Sequence, residues 1–408
     1  MSLELKPATA AGERFVAAAE SIRPLLREAG QEADRSGSMS AESFEAVQAS
    51  GIAAAFVPEA LGGLGVESVT DWLAGITALG KGDGSVAIAL TMQHGVTRGM
   101  AQAWRAAITR DEDDTRAAQP LRAIASGAMR ICATATERGT DNLHPQTTAE
   151  QNEAGWLING HKMFVTGSPL ATHMAMNLRS RDADGDHLAT TMIAMDTPGV
   201  EPQADWDALG MRGSGSQSIR LNNVQVPRSA VRRLGPWGRW STASLISRTL
   251  GNLVLVGAFL GIAEHARELA LRSLDSQRRL GELVRNSAGV QTTVGEMEIE
   301  LATCQSVLQQ TGERVDAWLA EAQRNTPDFA AAHNLMKDYQ AAKWVVNRGA
   351  IRIVDHALNL AGGGGFMAGN PLTQLYRDVR AGPFMQPQAA VDIRNYVGQV
   401  ALGLYPEA

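Results

Sequence analysis

The chain has 408 residues, and its 37 Lys+Arg against 43 Asp+Glu leave a formal charge of −6. That length suits about two to four domains, and 44% hydrophobic with 20% charged residues is a globular profile, not a disordered one. The mild acidity excludes a strongly basic nucleic-acid binder, and two cysteines, Cys132 and Cys304, exclude a disulfide scaffold or a cysteine-rich metal site.

Residues 1–14 are mixed and charged, without the basic-then-apolar plan of a signal peptide. A cytoplasmic setting is the expectation. From about Glu13 to Arg122 the pattern is helical, with Phe15, Ala18, Ala19, Ile22, Leu25 and Leu26 recurring every three or four residues. Ser40 is a plausible N-cap for the next helix, a Pro- and Gly-rich loop fills 58–65, and the uncharged run 85–100 reads as a buried helix holding His94. A polar side chain there needs a partner. It is either a hydrogen-bonded core histidine or a residue beside a cofactor or substrate.

Between 131 and 231 the period changes. Short apolar runs at 131–136, 155–157, 162–165, 172–178 and 190–195 are separated by turn formers such as Asn159-Gly160, and a strand through Ile219 and Val224 ends at Pro227. This spacing argues for an antiparallel sheet or barrel, and no βαβ alternation appears. Helical periodicity returns from about Ser241, with long stretches at 245–280, 290–322 and 329–360 and a shorter one at 389–402. The most apolar part, 253–263, falls short of the ~20 residues that span a bilayer. The expected architecture is mainly α with a central β domain: an all-α domain at 1–128, the β domain at 129–236 and a four-helix bundle at 237–408.

Gly363 to Ala368 fits the spacing of a dinucleotide loop but follows a helix instead of a strand, which is helix-end chemistry. Four consecutive glycines leave close approach to a ligand open. The eight histidines form no metal-ligand spacing, and no Gly-x-Ser-x-Gly elbow occurs on a strand-to-helix turn. Cys132 on a strand reads as a small core hydrophobe.

Several runs together resemble the acyl-CoA dehydrogenase superfamily. They are FVPEALGGLG from Phe56, TERGTD from Thr136, LINGHKMFVT from Leu157, LGMRGSGS from Leu209, VQVP from Val224, the glycines 362–365 with Phe366, and LYRD from Leu375. The resemblance spans nearly the whole chain. It implies the fold just described, with FAD held between the β domain and the bundle. Ala135 and Thr136 would contact the flavin ring, Phe164 and Thr166 would lie beside it, and Asn359 and Gly363 would approach the nucleotide half, commonly across a subunit interface. Arg278 or Arg279 would supply a pyrophosphate contact, a role that a guanidinium suits. The family forms dimers or tetramers, so a homodimer or homotetramer is implied, and an electron-acceptor flavoprotein is a natural partner.

Catalysis in that family takes an α-proton with a glutamate while a hydride passes to the flavin. Aligned through Arg377-Asp378, the base position falls on Gln386; the alternative on the first bundle helix falls on Gly251. Neither side chain can accept a proton as a carboxylate does. Beside Gly251 the family's substrate arginine becomes Asn252, with Arg248 one turn earlier; Arg248 and His94 are the candidate substrate contacts. Three readings stand: an acyl-CoA dehydrogenase-type enzyme on an acyl thioester, drawing its base from Glu137, Asp378 or Asp392; a monooxygenase on the same fold using reduced flavin and oxygen; and a non-catalytic flavin- or acyl-binding protein.

Overall fold

A computed structural model describes residues 3–407. The first layer is helical: α1 (Ala10–Ser36), α2 (Ala41–Ala49), α3 (Val69–Gly80), α4 (Gly84–Thr109) and α5 (Thr115–Ala125). Local chemistry sets these ends. The Thr9 hydroxyl accepts from the Gly12 amide at the start of α1, Gly37 closes it in the left-handed region, and the Asp83 carboxylate caps α4 on the amides of Ser85 and Val86.

The middle of the chain is an eight-stranded sheet. Its strands are β1 (Ile131–Thr134), β2 (Thr148–Asn152), β3 (Gly155–Val165), β4 (His173–Asp182), β5 (Gly185–Ala194), β6 (Val200–Pro202), β7 (Gln217–Val226) and β8 (Val231–Pro236). They lie in the order β6-β7-β3-β2-β4-β5-β8. β1 runs parallel to the first half of β4, and β2 runs parallel to its second half. A bridge between Ala133 and Thr166 joins the end of β3 to β1. Ile158, Leu178, Ile219 and Val224 are among the residues of this sheet's own core.

The remainder is helical again: α6 (Thr242–Leu253), α7 (Leu255–Leu274), a hairpin of β9 (Arg278–Arg279) and β10 (Glu282–Leu283), then α8 (Ala288–Ala322), α9 (Phe329–Ala361), α10 (Pro371–Asp378) and α11 (Ile393–Ala401). α9 is the hub, packing against α6, α7, α8 and α11. α3 joins this bundle from the N-terminal side. Its approach to α7 is so close that a Cβ on Gly261 would stand 2.3 Å from the Thr77 carbonyl oxygen. One core therefore runs through both helical regions, from Phe15 and Trp72 to Phe259 and Ile353.

Two expected helices are shorter than their periodicity predicts. The stretch 245–280 breaks at Val254 and stops at Leu274, because Leu280 and Gly281 take positive φ to turn the hairpin. The stretch 389–402 becomes helical only from Ile393, after Pro387 and a turn. The apolar run also proves longer than 253–263. The helical stretch Thr242–Leu274 is long and apolar enough to cross a membrane by composition, but 72% of its most apolar window is buried inside the fold, as in a core helix.

Candidate functional site

The site forms where the end of β1 and β3 faces α6 and α9. On the sheet side, the Thr134 hydroxyl donates to the Met163 carbonyl (2.8 Å) and the Met163 amide donates to the Thr136 carbonyl (3.0 Å). A register shift between Lys162 and Val165 then pushes Phe164 out of the ladder. Its φ is +52° and its ring is 50% exposed, edge-on to Trp206 at 5.9 Å. A bulge that re-aims one side chain is a recurrent device beside active sites. Next to it the Thr166 hydroxyl meets Ser216 at 2.9 Å. Ala135, Thr136, Phe164 and Thr166 thus share one corner of the sheet.

Beneath that corner Lys162 and Glu137 form a fully buried ion pair at 2.5 Å, and Glu137 also accepts from the amides of Gln146 and Thr147. Burial holds the Lys162 ammonium below its ordinary value against the pull of Glu137. Every acceptor of Glu137 is engaged in holding this loop, so it is a foundation of the site and not the missing base.

On the helical side, the 385–388 loop carries Gln386, whose amide reaches the Thr136 hydroxyl at 3.5 Å and hydrogen-bonds Asn142. Asn142 joins the two walls, its amide lying against the Ala135 carbonyl, Gln386 and the Arg248 guanidinium. Arg248 projects from α6 over the Trp240 ring at 5.0 Å, a cation–π contact. Burial lowers its guanidinium to about 10, opposed only by Asp141, which is itself tied to His144 and the Leu143 amide. No ion pair joins Arg248 to a carboxylate among the described residues. From α9, the Tyr339 hydroxyl donates to the Gln386 carbonyl (2.9 Å), and the Lys343 ammonium donates to the carbonyls of Met385 and Gln388 (2.7 Å to the latter). Burial alone brings Lys343 down to about 7.

The other proposed bases lie elsewhere. A Cβ on Gly251 would meet nothing within 4 Å, so that position offers open space. Asp392 is exposed just before α11. Asp378 is buried behind the sheet, where its Oδ1 accepts from the Met211 amide at 2.5 Å. Burial, then Asp83 and Asp34, push it up to about 7; Asp83 itself rises to about 6 on burial.

His94 is corrected from a substrate contact to a core residue. It is fully buried, its Nε2 sits 2.8 Å from the Ile52 carbonyl, and Phe15, Phe56 and Trp72 surround the ring. Burial drops its basicity to about 4, so it stays neutral. Cys132 is likewise buried, its thiol pushed up to about 12.

The expected cofactor contacts divide into two groups. Asn359 and Gly363 lie at the far end of α9, where Gly362 faces Gln277 of the β9–β10 hairpin and Arg278 folds back onto the Gly281 carbonyl (2.8 Å). Twenty residues of helix separate Asn359 from Tyr339, about 30 Å at 1.5 Å per residue. One cofactor meets both groups only if a second copy of the chain contributes one of them. The sheet corner offers a half-exposed aromatic and the hydroxyls of Thr136 and Thr166, groups that suit a flavin ring. Asn142, Trp240, Tyr339 and Lys343 were not legible as site residues.

Comparisons with known proteins show the family and the fold. Residues 131–224 match the family model described as acyl-CoA dehydrogenase, middle domain, and residues 249–395 match acyl-CoA dehydrogenase, C-terminal domain. The chain is 34% identical over 407 residues to an amino sugar nitrososynthase of Streptomyces peucetius, covering 98% of this chain and 95% of the relative. It is 32% identical to an L-evernosamine nitrososynthase of a Micromonospora species, covering 98% and 92%. The solved complex of KijD3 with FMN and dTDP-3-amino-2,3,6-trideoxy-4-keto-3-methyl-D-glucose superimposes with a TM-score of 0.90 at 31% identity, covering 100% of this chain and 98% of that one. Butyryl-CoA dehydrogenase of Megasphaera elsdenii shares the fold at 19% identity and a TM-score of 0.82.

Proposed function

The chain belongs to the acyl-CoA dehydrogenase family of flavoenzymes, and from that premise we propose that it oxidises the amino group of a nucleotide-linked amino sugar, using reduced flavin and oxygen, instead of dehydrogenating an acyl thioester. The observation that carries this is Gln386: an amide, bonded to Thr136 and Asn142, occupies the position to which the family resemblance assigns the base. The full-length relatives named for amino sugars support the substrate class. FMN is the flavin we assign, after the KijD3 complex.

Bound reduced flavin would supply the electrons that activate oxygen. The residues of the chain do the rest. An amine attacks an electrophilic oxygen only as the free base, and a nearby unpaired cation disfavours its protonated form. Arg248, half-buried beside Asn142 and without a carboxylate partner among the described residues, supplies that cation. Gln386 and Thr136 offer neutral donors and acceptors that orient the nitrogen without taking its proton. Arg248 has donors to spare for an oxygen of the sugar. Phe164 and Trp206 wall the flavin side with aromatic surface.

The test supplies the FMN-loaded protein with a reductant, air and a dTDP-3-amino sugar. Consumption of oxygen with a product that has gained one oxygen and lost two hydrogens supports the reading. Oxygen consumption yielding only peroxide, with the amine unchanged, overturns it.

A further inference from the structure

Lys343 is among the largest fully buried side chains of the described residues, 1% exposed, and its acceptors there are backbone carbonyls with no carboxylate among them. A buried ammonium without a counter-charge is costly unless its protons are all engaged. Its acceptors are the carbonyls of Met385 and Gln388, on either side of Gln386. Tyr339, one turn earlier on the same face of α9, takes the carbonyl between them, that of Gln386 itself. Asn347, one turn later, lies against Gly382, where a Cβ would stand 2.8 Å from the Asn347 Cγ. Spacing of four along a helix places all three side chains in one row. The row grips the 382–388 segment at three heights, leaving the Gln386 side chain to face Thr136 and Asn142.

We propose that Lys343 is a positioning residue: by holding the carbonyls on either side of Gln386, its ammonium fixes how far the Gln386 amide projects toward the flavin and the substrate amine. This rests on the reading of the Thr136–Gln386 corner as the reacting site. Lys343 touches neither reactant. It acts through the backbone of the loop, and small misplacement of an orienting group is expensive in rate.

The experiment compares wild type, Lys343→Met, Tyr339→Phe, Gln386→Ala and the Lys343→Met/Gln386→Ala pair. Methionine fills the space without the charge, and replacing a buried charge by an apolar group of similar size tends to preserve folding. Amide hydrogen exchange is read at 382–392, where the Met385 and Ala390 amides are bonded to Gly382 and Pro383. Exchange there should rise about tenfold in Lys343→Met, with α9 unchanged, and by less in Tyr339→Phe. The kcat for amine oxidation should fall about tenfold or more in Lys343→Met, with KM moving little, and should fall no further when Lys343→Met is added to Gln386→Ala. Unchanged exchange at 382–392 overturns the proposal, as does a full additive loss of kcat in the pair. If the wild type oxidises no amine, the functional reading has failed, and the exchange data still decide whether Lys343 holds the loop.

Discussion

At the junction around Met211 the sheet meets the helices through carboxylates, whereas around Thr136 it meets them through amides, a hydroxyl and a guanidinium. Asp378 accepts from the Met211 amide, Asp34 pairs with Arg377, and Asp83 caps α4 nearby. None of the three faces open space suited to chemistry, and Asp378 and Asp83 are pushed toward their neutral forms. At the other junction Gln386 and Asn142 face the Thr136 corner, and the charge that reaches Asn142, that of Arg248, is positive. On the proposed reading, the carboxylates at the Met211 junction serve assembly, while the carboxylate beneath the Thr136 corner, Glu137, is held by Lys162 and two backbone amides. A dehydrogenase needs one that is free to accept a proton.

The largest expected effect comes from removing the positive charge. Arg248→Met should lower kcat/KM for the amino sugar about 100-fold, measured by oxygen uptake, since it removes both a substrate donor and the field that keeps the amine neutral. An effect below about threefold would break the contrast between the junctions. Next, Gln386→Glu brings a carboxylate into the amide junction. It should pair with Arg248 and lower amine oxidation by about tenfold, most at pH values where the new carboxylate is ionised; a gain in amine oxidation would show that the amide is not what the chemistry requires.

On the acidic side, the raised values of Asp378 and Asp83 mean that the folded form holds their protons more tightly than the unfolded chain does. The resulting stability is complete below the ordinary carboxylate range and is lost as pH climbs through about 6 and then about 7. Asp378→Asn keeps an acceptor for the Met211 amide and cannot ionise. Its unfolding free energy should fall less between about pH 5 and about pH 8, by on the order of 1–3 kcal/mol relative to wild type in denaturant titrations. Equal pH dependence would mean that Asp378 is not the group that titrates. The smallest effect is expected at the far end of α9: Arg278→Ala should leave FMN affinity unchanged in a fluorescence titration, because the hairpin that carries Arg278 lies against Gly362, at the end of α9 that is about 30 Å along the helix from Tyr339.

The order of helices, sheet and bundle was legible because periods of 3.6 and 2 are written locally along the chain. So was the sheet corner that Thr136, Phe164 and Thr166 share, since they lie in contiguous runs that resemble a known family. What faces that corner was not. Apart from Arg248 and Gln386, which the resemblance pointed to, Asn142 and the α9 pair Tyr339 and Lys343 come from distant parts of the chain and meet only through tertiary packing, and a buried lysine reads along a helix much as an exposed one does. His94 was ambiguous for the opposite reason: the apolar run around it is equally that of a core and of a pocket, and only Ile52, Phe56 and Trp72 closing over the ring decide for the core. The missing carboxylate at Gln386 was visible in the sequence, but its meaning was not. An acyl thioester is what the family resemblance implies, and the relatives named for amino sugars point to a different substrate.

The most direct measurement of the central claim is the visible spectrum of the protein loaded with oxidised FMN and mixed, without oxygen, with butyryl-CoA and longer acyl-CoA thioesters. A corner without a proton acceptor beside Gln386 predicts that the flavin absorbance stays unchanged through prolonged incubation. Rapid bleaching on mixing would contradict it.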